Sequence, residues 1–96
     1  MLYIAFVKTR LQASPENVDL QVKSRTWWNE GGKPPGLETV GFYGAVGSST
    51  RAVIVFEAAS HDDIRTMINY WNEVEFEVHP AVDLAEVFRQ QGMKVT

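Results

Sequence analysis

The sequence predicts an α+β fold, with helices packed on one face of an antiparallel sheet. Three observations carry that expectation. Apolar and polar residues alternate with period two in short runs. Between them, apolar residues recur with the 3.6-residue period of a helix. Clusters of Gly, Pro and Ser separate the runs.

The elements follow in order along the 96 residues. "LYIAFVK", residues 2–8, reads as a strand from its Tyr, Ile, Phe and Val content. Leu2, Ile4 and Phe6 occupy one face and Tyr3, Ala5 and Val7 the other, which suits a central strand covered on both sides. Ser14 as N-cap, Pro15 at the first helical position and Glu16 in the first turn open a helix that runs to about Asn29 or Glu30. "GGKPPG" ends it, because consecutive Gly and Pro cannot continue a helix.

"LETVGFYGAV" is a second strand, interrupted by Gly41 and Gly44, and "GSST" turns it into the third, "RAVIVFEAA". "SHDDIRTMINYW" is an amphipathic helix. Ser60 with Asp63 resembles a capping box, and Ile64, Met67, Ile68 and Trp71 form one apolar face. "WNEVEFEVHP" supplies the fourth strand, alternating Val74, Phe76 and Val78 with Glu75, Glu77 and His79. Asp83 with Glu86 caps a last short helix whose stripe is Leu84, Val87 and Phe88, with Gly92 as its stop. Two split βαβ units in this order form a ferredoxin-like βαββαβ sheet, with both main helices on one face and a short C-terminal helix added.

Size and composition restrict the functional classes. Residues 1–96 make one domain, whose thin core buries only roughly 60–65% of the unfolded surface and favours pairing with a second copy. The absence of cysteine removes disulfides, thiolate metal sites and cysteine nucleophiles, and fits a cytoplasmic setting. The apolar run at residues 1–7 stops at Lys8, too short for a signal peptide, and no run approaches a membrane span. Residues 50–96 carry four Lys and Arg against eight Asp and Glu, which argues against a nucleic-acid surface. Neither a P-loop, G-x-G-x-x-G nor G-x-S-x-G occurs, and "RAVIVFEA" lacks the basic and aromatic signature of RNA-recognition domains. No cofactor, membrane or nucleic-acid partner is expected.

The two sheet faces carry different information. Strand alternation places Ile54, Phe56, Phe76, Val78, Val40 and Phe42 toward the helices. Arg51, Val53, Val55, Glu57 and Tyr43 then share the opposite face with Glu75, Glu77, His79 and one face of the first strand. That face is half apolar, and no further layer remains to cover it. Such a surface marks a partner contact, here a second copy packed face to face as a dimeric α/β barrel.

Three stretches, "MLYIAFVK", "PPGLETVGFYGAVGSSTRAVIVFEA" and "INYWNEVEFEVHPAVDLAEV", resemble a family of short bacterial proteins known as domain of unknown function 3303. The elements that carry the likeness are Pro35-Gly36-Leu37, Gly47, Glu57, Trp71 and the strand Phe76–Val82. The likeness covers residues 1–8 and 35–87, leaving the first helix unmatched. It implies a ferredoxin-like, dimeric-barrel fold and no catalytic residues. The position of His79 more often holds a small polar residue in that family, so no shared role for His79 is implied.

The candidate chemistry is thin. Glu75, Glu77 and His79 stand about 6.6 Å apart at successive Cα atoms of one strand face, within reach of one divalent ion. The same pattern suits a solvated edge strand, and no metal is assigned. Glu57 ends a central strand, where a buried carboxylate needs a partner such as His79, Tyr43 or the second subunit. Trp27 and Trp28 are adjacent on a helix and cannot both face the core, so one packs inside while the other meets a pocket mouth or a partner. Trp and Asn side chains serve near the substrate in cofactor-independent monooxygenases on dimeric barrels, an analogy of fold that Trp28 and Asn29 invite. Trp71 reads as core and His61 as exposed.

Three functions compete on this basis. One is a homodimer holding a small apolar or aromatic molecule through Tyr43, Glu57, His79 and Trp28. Another is a cofactor-independent oxygenase or isomerase in which Glu57 or His79 moves a proton. The third is a structural dimer with no pocket.

Overall fold

Four strands form one antiparallel sheet in the order β2-β3-β1-β4. They are β1 (Leu2–Thr9), β2 (Leu37–Gly44), β3 (Thr50–Ala58) and β4 (Val74–Pro80). Helices α1 (Asn17–Asn29) and α2 (His61–Tyr70) link them, and α3 (Leu84–Gln90) follows β4. The computed structural model describes residues 1–9, 17–44 and 50–96. The expected helix start at Ser14, Pro15 and Glu16, the turn residues Gly47 to Ser49 and the side chain of Arg51 lie outside the described residues.

The apolar content of β1 on both faces puts it between β3 and β4. Tyr3 lies across from Phe56 and Pro80, Ala5 from Ile54 and Val78, and Val7 from Ala52 and Phe76. This side meets the helices. Its buried residues Tyr3, Ala5, Leu37, Phe56 and Ala58 pack with Trp27 of α1 and Met67 of α2. The rings of Tyr3 and Phe56 stack at 5.6 Å. Fully burying one such side chain contributes about 1.5–3 kcal/mol, so this cluster is the main source of stability. On the other face, Ile4 lies across from Val55 and His79, and Phe6 from Val53 and Glu77. Leu2, Ile4, Phe6, Val53 and Val55 remain only half-buried. The expected cover on both sides of β1 is thus full only on the helix side.

In β2 the alternation changes phase. Thr39 pairs with Phe56 and Gly41 with Val55, so Val40 has no partner in the ladder. This β-bulge puts Leu37, Thr39 and Phe42 on the helix side, across from Ala58, Phe56 and Ile54. Val40, expected toward the helices, is 61% exposed. A strict period of two cannot anticipate one inserted residue.

The helices conform in part to their patterns. The chain wraps over the end of α1, where Gly31 adopts φ +83°. There the Gly32 amide donates to Thr26 O at 3.0 Å and the Lys33 amide to Trp27 O at 3.1 Å, which satisfies carbonyls of the last helical turn. In α2, Met67 is buried, but Ile68 lies on the flank and is half-exposed. Ser60 makes no side-chain cap hydrogen bond, so the expected capping box is not formed. In α3 the cap is as expected, with Asp83 Oδ1 accepting from the Glu86 amide at 3.1 Å. Its stripe is uncovered: Leu84 is 59% exposed, and α3 has no buried residue. Among the described residues no helix is long and apolar enough to cross a membrane.

Candidate functional site

A deficit of side-chain volume at one end of the sheet opens a cavity beneath the helices. One cross-strand row there runs Gly44, Ala52, Val7, Phe76. Glycine and alanine leave the β2–β3 part of this floor low, while bulky side chains hold the helices above it. The resulting cavity has a volume of about 170 Å³, comparable to apolar cavities that admit a benzene ring.

Aromatic side chains form most of its walls. Trp27 and Trp28 both line it, although successive helical residues point about 100° apart. Trp27 is 4% exposed and belongs to the core, whereas Trp28 is 41% exposed and stacks on Phe42 with centroids 5.9 Å apart. The Trp28–Phe42 pair therefore forms the solvent side of the cavity. Trp71 closes the α2 end, with its ring 5.9 Å from Trp27 and 5.1 Å from Tyr70. All three tryptophans of the protein face this one space.

A polar clasp holds the two helical walls together. The Tyr70 hydroxyl donates to Lys23 O at 2.8 Å, and the Lys23 ammonium pairs with Glu73 while lying 4.9 Å from the Tyr70 ring centroid. Among the described residues lining the cavity, only Ser24, Thr39 and Lys33 are polar, and only Lys33 is ionisable. Its ammonium donates to Leu37 O at 2.6 Å.

The residues singled out from sequence divide between the two faces of the sheet. Trp28 lines the cavity. Tyr43, Glu57 and His79 stand on the open face, across from Val53, Leu2 and Ile4. Glu57 Oε2 lies 3.0 Å from the amino group of Met1. His79 Nε2 donates to Glu77 Oε2 at 3.0 Å, and Lys8 Nζ lies 3.7 Å from Glu77 Oε1. The His79 hydrogen bond, and after it the Lys8 charge, hold the Glu77 carboxyl below the usual carboxylate range. Among the described residues no three His, Asp or Glu side chains are grouped closely enough to hold a metal ion.

A family model described as "Domain of unknown function (DUF3303)" matches residues 1–91. The chain belongs to the DUF3303 family. No curated protein matches it.

The DUF3303 match spans all seven elements, so it takes in α1 with its tryptophan pair as well as the strands that carried the resemblance in sequence. Sequence reasoning missed Lys33, Thr39 and Phe42 as parts of this DUF3303 cavity. For Lys33 a signal existed: it sits in "GGKPPG", the loop that must fold back beside Trp27 and Trp28 once the helix stops. For Thr39 the bulge at Val40 concealed it, because it changes which side chains share a face, whereas Phe42 stands on the helix side as the alternation expected.

Proposed function

We propose that this DUF3303 chain is a cytoplasmic, ferredoxin-like protein that binds a small apolar or aromatic molecule between its sheet and helices. It pairs as a homodimer through the open sheet face. The ferredoxin-like reading draws support from the order strand, helix, strand, strand, helix, strand and from β1 lying between β3 and β4. The single observation that carries the binding reading is the aromatic-walled cavity of about 170 Å³. A ligand of matching shape gains by burying its apolar surface against these walls.

Binding is favoured over proton transfer by the placement of the ionisable groups. Glu57 and His79 project from the far side of the sheet, while a general base must come within hydrogen-bond reach of its substrate.

Titration with 4-ethylbenzyl alcohol, followed through tryptophan emission, tests the reading. Saturable quenching is expected, with Kd of about 0.1–1 mM for a ligand of this size. The variant Ala52→Leu, which fills the floor, should retain its circular dichroism and lose the saturation. No saturation in the native protein, or equal saturation in Ala52→Leu, would remove the proposal.

A further inference from the structure

Lys33 is the one ionisable residue among the described residues that line the cavity, and it is held by its surroundings. Its amide is bonded to Trp27 O, and the Leu37 amide donates to Pro34 O at 3.0 Å, closing the loop on both sides. Pro34 and Pro35 fix two backbone torsions between those bonds. Gly32, just before it, runs so close to α1 that an added Cβ would stand 3.0 Å from Thr26 O and 3.1 Å from Trp27 Cα. The Lys33 stem thus leaves a backbone that cannot readily swing away from the cavity.

The ammonium has donors to spare. Of its three N–H groups, Leu37 O accepts one, and Lys33 has no carboxylate partner among the described residues. Lys8, Lys23, Arg65 and Arg89 each have one, and of the described cations without one only Lys33 lines the cavity. A cation beside an apolar cavity recovers its lost hydration best from an anion that arrives with the ligand. Ser24 and Thr39 add two hydroxyls to the same lining. The aromatic side chains in the lining, Trp27, Trp28, Phe42 and Trp71 among them, suit a ring that meets them in offset or edge-on contact.

We infer that this cavity takes an aromatic carboxylate, with its ring among the tryptophans and its carboxylate on the Lys33 ammonium. This rests on the proposed binding function and narrows it from apolar molecules in general to ring-bearing acids.

The test compares two probes of one shape on the full chain, 4-ethylbenzoate and the neutral 4-ethylbenzyl alcohol. At pH 7 the carboxylate should bind roughly tenfold more tightly, and the preference should shrink as salt is raised. Lys33→Gln and Lys33→Met should each abolish the preference and leave the alcohol's Kd within about twofold, whereas Lys33→Arg should keep it. Two variants guard against one that packs badly, and circular dichroism identifies it. If the alcohol binds and the carboxylate binds no better, or if the preference survives both replacements, the assignment of Lys33 fails while the apolar-binding reading stands. If neither probe binds, both fall.

Discussion

Glu77 and His79 illustrate how little a row of polar residues says until its neighbours are known. Glu77 accepts from His79 and lies near Lys8 across the β1–β4 ladder, so its charge is satisfied within one face. Because the folded protein holds this carboxyl below its ordinary value of 4.5, the unfolded chain takes up a proton first as pH falls. The stabilisation is therefore fully present above about pH 4.5 and is lost as pH drops through the folded-state value. Urea midpoints of the native protein and Glu77→Gln should differ slightly at pH 7 and converge below pH 4. A constant difference across that range would show that the carboxylate's charge contributes nothing. The effect is small because all three side chains are exposed to water.

Two helices end on glycines with nearly the same torsion, Gly31 at φ +83° and Gly92 at φ +85°, and an added Cβ meets nothing within 4 Å at either. Local strain from an alanine is therefore about the same, about 1 kcal/mol. What differs is the work each helix does. The end of α1 positions Trp27, Trp28 and Lys33, whereas α3 has no buried residue. Gly31→Ala should lower global stability by about 1 kcal/mol in urea, and Gly92→Ala by less than about 0.3 kcal/mol. In Gly92→Ala the loss should show instead as faster amide exchange confined to α3. Equal global effects would mean that α3 is coupled to the core. In β2, the bulge at Val40 and the Tyr43 ring lying over Gly41 act together. A Cβ added to Gly41 would come within 2.7 Å of Tyr43 Cε2, so the tyrosine covers the gap that the glycine leaves at a sheet edge.

The chain is only 20 Å deep along its shortest axis, roughly one sheet plus one helix layer. With both buried helix contacts on one side, the half-buried Leu2, Ile4, Phe6, Val53 and Val55 are left facing outward. A protein of this size gains much by burying such a surface against a copy of itself. Sedimentation equilibrium of the native chain is expected to give the dimer mass at micromolar concentration. Val53→Asp, which places a charge in the middle of the open face, should give the monomer mass with unchanged circular dichroism. A monomer mass for the native chain would remove the proposed pairing.

The local order was legible in the residues themselves. The two-sided apolar run of β1, the alternation of Val74, Phe76 and Val78, and the stop at "GGKPPG" each follow from short-range sterics and side-chain periodicity, which are complete within a few residues of chain. The candidate site was legible only in part. Trp28 was readable because two adjacent tryptophans on a helix cannot share one face. Glu57, Tyr43 and His79 could be read as one group sharing a sheet face, but not as standing on the side away from the cavity. The cavity itself depends on Gly44, Ala52, Val7 and Phe76 coming into one row from three separate strand pairings, and on a one-residue bulge that brings Thr39 to the helix side beside Phe42. Volume left between layers belongs to no single segment. Only tertiary packing, where small residues of one strand lie beneath large ones of a distant helix, decides where such a space opens and which cation borders it.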